Sequence, residues 1–279
     1  ARLTASGRFL EEFDFRLELD LAGSLANTSA LRAQMSDGYI TWNRYPAANV
    51  RVGQFKTPFG FEQLYRDPLL FTIERSLVND RLTLSRQLGA QVGGDLLDKR
   101  LTYAVGVFNG NGANNNFNDD DHFLIAGRLS GIPWQGKLFD KRASWGVGGN
   151  VYSSDDTSVS PGGEFAFDST PNTPDRDGVF SGKREGFGLD SQLLCGPVEL
   201  WAEYLTTEWK ADSRRPLASI ESEGWYAQGT VYVIPDKLQL LLKLESFDPI
   251  REIENNTTEI GTAGASWYFK GHDLKFLLN

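Results

Sequence analysis

The sequence predicts an all-β protein, a transmembrane antiparallel β-barrel, and three observations predict it. Segments of about ten residues alternate apolar with polar, the span of a tilted membrane strand. The connections between them alternate short and long, as turns on one rim and loops on the other would. No run of about eighteen apolar residues is present to make a membrane helix, and almost no 3.6-residue periodicity appears across the 279 residues. A hydrophobic fraction of 40%, with 12% aromatic residues, suits strands whose second face is polar.

The first strand starts at Phe13, where Phe13, Phe15, Leu17, Leu19 and Leu21 interleave with Asp14, Arg16, Glu18 and Asp20. A period of two puts one set on each face. A polar loop from Gly23 to Ser36 leads to a strand over Tyr39 to Tyr45, and Pro46-Ala47-Ala48-Asn49 turns into Val50 to Phe55, with Val52 outward and Arg51 inward. The connection from Lys56 to Arg86 is long and carries Pro58, Pro68 and many charges. Strands resume over Gln87 to Leu97, and Asp98-Lys99 returns the chain through Tyr103, Val105 and Val107. Asn109 to His122 is an Asn/Asp loop. Phe123, Ile125 and Leu129 mark the next strand, Gly131 to Arg142 reads as a moderate turn around Pro133, and Trp145, Val147 and Val151 share a face.

A loop of Ser, Asp, Pro and Gly then runs from Ser153 to Glu185. Phe187 to Leu194 is followed by the Cys195-Gly196-Pro197 turn, and Val198, Leu200, Ala202 and Tyr204 oppose Glu199 and Glu203. Lys210 to Ser222 is loop, Trp225 to Ile234 strand and Pro235-Asp236-Lys237 turn; Leu238, Leu240, Leu242 and Leu244 oppose Lys243 and Glu245. After a loop over Asp248 to Thr257, the last pair is Glu259 to Phe269 and Leu274 to Leu278, joined by Lys270-Gly271-His272-Asp273.

That reading gives thirteen strands in a single domain over residues 1–279. Single-chain bacterial barrels usually have an even number, so the odd tally predicts a portion of a larger barrel that lacks strands at both ends. Trp145, Tyr152, Trp209, Trp225, Phe247, Trp267 and Tyr268 sit near strand ends, where an interfacial aromatic girdle is expected. The competing fold is a soluble all-β binding module in which the apolar stripes face a second sheet; strands of five or six residues would suit it better than these.

Arg51-Val52-Gly53-Gln54-Phe55-Lys56-Thr57-Pro58-Phe59-Gly60, followed by Ile73-Glu74-Arg75-Ser76, resembles the phosphate-selective porin O and P family of outer-membrane channels. Weaker family-like stretches are Ala202-Glu203-Tyr204-Leu205, Gly224-Trp225-Tyr226-Ala227-Gln228 and Ser266-Trp267-Tyr268-Phe269. The resemblance implies a trimeric barrel of sixteen strands, with two of them before Ala1 and one after Asn279. It also implies that residues 56–86 fold inward as a constriction loop, with the bilayer, lipopolysaccharide and small anions as partners. The positions matched to its cationic ladder are Lys56, Arg66, Arg75, Arg81 and Arg86 on the loop, with Arg51 and Arg128 on the wall.

Charge argues against taking anion selectivity from the resemblance alone. The loop's cations face Glu62, Asp67, Glu74 and Asp80, the wall carries further acids, and the chain has a formal charge of -9. Anion preference then requires cations focused at the narrowest point. A general or cation-preferring porin, and a barrel that sheathes a partner, remain alternatives.

No enzyme site and no cofactor is expected. His122 and His272 fall at opposite rims, too far apart to share a proton or a metal, and serine has no nucleophile-elbow context. Glu199, Glu203 and Asp190 share an inner stripe and read as lumenal wall. Asn114 to Asp121 offers hard oxygen ligands for calcium, but without the spacing and glycine of a calcium loop it reads as solvated loop, and Pro174 to Gly178 is weaker still. A single cysteine, Cys195, excludes an internal disulfide, and the acidic balance disfavours nucleic acid.

Overall fold

A computed structural model describes residues 2–21, 33–115, 118, 121–159, 180–211 and 219–279. Fourteen antiparallel strands form one sheet in strict sequence order. They are β1 (Arg2–Phe9), β2 (Phe13–Asp20), β3 (Gln34–Tyr45), β4 (Ala48–Lys56), β5 (Arg86–Leu96), β6 (Leu101–Phe108) and β7 (Leu124–Leu138), then β8 (Lys141–Val159), β9 (Phe180–Cys195), β10 (Val198–Ala211), β11 (Ile220–Ile234), β12 (Leu238–Asp248), β13 (Thr258–Lys270) and β14 (Leu274–Leu278). No helix among the described residues is long and apolar enough to cross a membrane.

The outer face is an apolar band. Val52, Val92, Val105, Leu129, Val151, Leu189, Leu200 and Leu242 are all exposed, although each is flanked along its strand by residues turned the other way. One sheet, rather than two stacked sheets, leaves those side chains without a protein partner, the arrangement a hydrocarbon surround satisfies. The inner face holds the buried residues. The segment between β4 and β5 crosses it, forming α1 (Phe61–Leu64), a 3-10 turn (Asp67–Leu69) and α2 (Leu77–Leu82). Phe59, Val78 and Leu82 pack there against Tyr152, Leu205, Trp209 and Phe247, and Phe61 and Phe71 against Trp201, Tyr226 and Leu241. This one segment hydrogen-bonds to residues on strands β8, β10 and β12 and reaches β1 and β14 as well, so the sheet curls around it. The edges β1 and β14 are not paired with each other.

Short turns share one rim, where each is hydrogen-bonded to the next. Asp95 N donates to Pro46 O, Ile132 N to Arg100 O, Gly196 N to Arg142 O, Tyr232 N to Pro197 O and Tyr268 N to Lys237 O.

Several expectations are corrected. The strands number fourteen, not thirteen, because Arg2–Phe9 pairs in full register with β2; its outward stripe of Leu3, Ala5, Gly7 and Phe9 is too thin to stand out in the sequence. The odd tally and the addition that reached sixteen therefore do not hold. Gly131 to Arg142 is not a moderate turn: β7 continues past Pro133 through a register shift between Gly131 and Trp134, and the turn is Phe139-Asp140. A proline is tolerated at such an irregularity because a ladder hydrogen bond is already missing. The Ser153 to Glu185 loop is shorter, since β8 extends to Val159 and β9 begins at Phe180, with Asp155 paired to Lys183 and Ser154 to Arg184. Of the proposed girdle, Trp145, Trp225 and Trp267 do face outward, whereas Tyr152, Trp209, Phe247 and Tyr268 are buried on the inner face.

Candidate functional site

The segment over residues 57–85 is held to the wall by an acid-rich latch. Pro58-Phe59-Gly60 ends the β4 strand, and Gly60 has a φ of 84°, a left-handed conformation that glycine adopts freely. An added Cβ there would lie 2.5 Å from Thr83 Cγ2 and 3.1 Å from Asn79 Oδ1. The turn exposes a run of backbone N–H groups to the wall. Gly60 N donates to Asn150 Oδ1 (3.3 Å), Phe61 N to one Glu203 carboxylate oxygen, and Glu62 N to the other (3.2 Å), which also accepts from Asn79 Nδ2 (2.7 Å). The Glu62 carboxylate accepts from Ser76 N (2.7 Å) and pairs with Lys243 Nζ (3.0 Å); both side chains are at most 2% exposed. Leu77 N donates to Glu245 Oε2 at 2.8 Å. Ser76 caps α2, its hydroxyl accepting from Asn79 N at 3.1 Å.

The motif's cations are spent inside the loop. Lys56 Nζ donates to the carbonyls of Gln63 (2.6 Å) and Tyr65 (2.9 Å). Arg75 donates to the carbonyls of Glu62 (3.2 Å) and Tyr65 (3.0 Å) and pairs with Asp67. Burial pushes the Asp67 carboxyl up, but the hydrogen bonds from Arg75 and Arg2 outweigh it and hold the group well below the usual carboxylate range. Burial also raises the Tyr65 hydroxyl above its ordinary value.

Two cavities lie between this segment and the wall. One, of about 360 Å³, is lined by Arg2, Arg16, Arg51, Lys56, Arg66 and Arg86 together with Glu18, Asp37 and Asp67. Arg16 and Arg86 pair with Glu18 and Asp37, and Arg2 with Asp67. Arg51 instead lies over the Tyr39 ring at 4.5 Å and donates to Thr41 Oγ1 at 3.1 Å. Among the described residues neither Arg51 nor Arg66 has a carboxylate within ion-pair distance. The second cavity, of about 710 Å³, shares Arg2, Asp67 and Arg86 with the first and adds Arg75, Lys243, Glu74, Asp80 and Glu245, so that its charges balance.

The seven expected cations therefore divide. Lys56, Arg66, Arg86 and Arg51 meet in the smaller cavity and Arg75 lines the larger. Arg81 lines neither and pairs with Asp80 at 3.3 Å. Arg128 stands apart, in a two-point pair with Asp190 at 2.6 and 2.9 Å. Sequence reasoning missed Arg2, because its strand was not recognised, and Arg16, which was visible on the charged face of β2 but not matched to the cluster. It also missed the latch, since nothing in the spacing of Glu62, Glu203 and Lys243 says that they meet.

Another inner acid, Glu199, is also engaged by neighbours on the wall. Glu199 accepts from Gln192 Nε2 (2.8 Å) and Trp201 Nε1 (2.6 Å). His272, on the β13–β14 turn, lies 3.3 Å from the Pro68 carbonyl, and no cluster of metal-ligating side chains occurs among the described residues. Of the calcium candidates, Asn114 N is bonded to Gln54 Oε1 at 2.6 Å; residues 116, 117, 119 and 120 and the whole of Pro174 to Gly178 lie outside the described residues.

The family described as phosphate-selective porin O and P matches residues 1–279. No curated protein sequence matches the chain. Among solved structures, the chain is similar to OmpT, an outer membrane protein of Vibrio cholerae described in a trimer form. That likeness has 10% identity and a TM-score of 0.53, covering 96% of this chain and 75% of that one. It is also similar to the outer membrane channel DcaP of Acinetobacter baumannii, with 13% identity and a TM-score of 0.51, over 96% of this chain and 73% of that one. At these identities the likeness shows the fold.

Proposed function

The chain belongs to the phosphate-selective porin O and P family and is thereby a porin of the bacterial outer membrane, and from that premise we propose that it passes small hydrophilic solutes by passive diffusion, with a preference for anions, phosphate and other oxyanions among them. Residues 56–86 are the constriction loop of that channel, and Arg51 and Arg66 are its anion-facing residues, supported by Arg2, Arg16, Lys56 and Arg86.

The observation that carries this reading is how the carboxylates are used. Glu203 and Glu62 are turned to backbone N–H groups of the loop and to Lys243, which removes them from the passage, while Glu245, at the edge of the larger cavity, accepts from Leu77 N. The smaller cavity keeps six cations against three carboxylates. In a narrow, partly desolvated space that excess attracts oxyanions, and the guanidinium fork suits them geometrically. The balanced charge of the larger cavity favours a second reading, a general porin with little selectivity.

Reversal potentials across planar bilayers in a salt gradient, with phosphate added as a blocker, test the proposal. Anion preference with block by phosphate is expected, and cation preference without block overturns it. From the trimer form of OmpT we carry over a homotrimer for this chain, checked by the mass of the detergent-solubilised protein. Lipopolysaccharide at the long-loop rim belongs to the same reading.

A further inference from the structure

On the outer face of β6 to β9 an apolar groove of about 1100 Å³ opens toward the short-turn rim. Its ridges are Val105, Leu129, Val151 and Leu189, each more than half exposed. Its floor is made where glycines replace side chains: Gly127 lies between Val105 and Val151 across the sheet, and Gly149 between Leu129 and Leu189. Neither glycine has a left-handed φ, and a Cβ at either would meet its nearest neighbour at 3.6 Å, an ordinary contact. The strands do not need glycine at these two places, and glycine in a strand interior weakens it. What its presence produces is the groove.

The mouth of the groove is basic. Arg100 lines it, giving one guanidinium nitrogen to the carbonyls of Ile132 (3.3 Å) and Pro133 (3.4 Å) while the side chain stays exposed. Lys99 beside it and Lys141, on the same face of the β7–β8 hairpin as Trp134 and Trp145, together with Arg100 outnumber Asp98 and Asp140, in a chain of formal charge -9. Every residue from Pro133 to Arg142 is exposed, with Phe139 at the tip 86% exposed and in a left-handed conformation at φ 50°. Trp134 and Trp145, paired across the hairpin, are both exposed on the outward face, as residues at a membrane interface are. The apolar stripe of the wall therefore runs without a break into an aromatic and basic rim, and the short-turn rim of such barrels faces the inner, phospholipid leaflet.

We propose that this groove is a binding site for an anionic phospholipid of the short-turn-side leaflet, its acyl chain lying over Gly127 and Gly149 and its phosphate at Arg100. Charge selects the headgroup, since each basic residue near an anionic surface favours it. The depth of the groove selects a chain over a flat protein face.

The test is native mass spectrometry of the detergent-solubilised protein given equal amounts of phosphatidylglycerol and phosphatidylethanolamine. The wild-type protein is expected to retain a phosphatidylglycerol adduct in preference. Arg100→Gln is expected to reduce that preference by about fivefold, the worth of one basic residue at such a surface. Gly127→Leu with Gly149→Leu is expected to lose both lipids while keeping the heat-modifiable mobility of a folded barrel. Adducts unchanged by the leucines, or a preference unchanged in Arg100→Gln, overturns the proposal. So does a leucine variant that falls from oligomer to monomer with its lipid retained, which would make the groove a seat for a second copy. Should the leucine variant not fold, Arg100→Gln on its exposed turn decides alone.

Discussion

Replacing Lys243 with methionine should release the loop from the wall. Its ammonium is the only cation within ion-pair distance of the Glu62 carboxylate among the described residues, and both groups are essentially removed from water. Breaking one partner of a buried ion pair costs about 3–5 kcal/mol, because the surviving charge is left uncompensated. Glu62 keeps its hydrogen bond from Ser76 N (2.7 Å), which argues for the lower end, about 3 kcal/mol, or roughly a hundredfold in the docked-to-undocked ratio of the loop. Methionine fills the lysine stem's volume and lies against the same Tyr226 ring that Lys243 now approaches at 5.0 Å, so the wall itself should survive. In single-channel recording the variant is expected to flicker between conductance levels, and protease should cut within residues 57–85 faster than in the wild type. Adding Glu62→Gln removes the second charge as well, and the pair should regain most of the quiet state, since deleting both partners of a buried bridge is often nearly neutral. Wild-type noise and cleavage in Lys243→Met would refute the latch, as would a double variant no quieter than the single one.

Arg51→Ala with Arg66→Ala removes the two cations of the smaller cavity that lack a carboxylate partner; at about 1 kcal/mol per charge the anion-to-cation permeability ratio should fall about fivefold for each, and the zero-current potential reads it. Arg81→Ala, outside both cavities, should leave that potential where it is. Gly60→Ala places a side chain in a left-handed backbone at a cost of about 1–2 kcal/mol, before the clash with the Thr83 methyl 2.5 Å away is counted, and should raise channel noise at unchanged barrel mobility. Because the folded Asp67 carboxyl is held below its ordinary value by Arg75 and Arg2, its contribution is complete above the unfolded value, about pH 3.9, and is lost only as pH falls through the lower folded value. Loop noise in the wild type should therefore rise as pH falls below about 4, whereas Asp67→Asn should be noisy already and lack that rise.

The strands were legible wherever one face had to meet hydrocarbon, as in the leucines of β12 or the Phe-Leu stripe of β2. They were illegible where that demand lapses. Ser153 to Asp156 and Gly182 to Glu185 pair in register, but polar residues on both faces give no alternation to read. Pro133 and Gly131, sound punctuation elsewhere, sit in a strand because a register shift absorbs them. At the candidate site, the motif from Arg51 to Gly60 with Glu74-Arg75-Ser76 marks the segment that crosses the inner face, yet the contacts of its cations were not readable. Lys56 and Arg75 look in sequence like free charges facing a pore, and in space they are hydrogen-bonded to carbonyls of their own loop. Whether a lysine faces solvent or a carbonyl depends on where the chain turns, and that turn is set by Gly60 and by acids more than eighty residues away.

On the proposed reading, the acidic balance that weighs against an anion pathway in the sequence is what lets the loop form one. A loop crossing an open lumen carries backbone N–H groups without helix or strand partners, and each left buried and unpaired costs about 1–3 kcal/mol. Carboxylates on the wall satisfy several at once, as Glu203 does for Phe61 and Glu62 and Glu245 does for Leu77. An inner wall rich in acids is therefore a docking surface for backbone, and the charge it spends there no longer faces the passage. The cations on β1, β2, β4 and β5 that line the smaller cavity meet only Glu18, Asp37 and Asp67 there. Net charge counts both sets equally; position does not, so a chain of formal charge -9 can hold a cationic constriction.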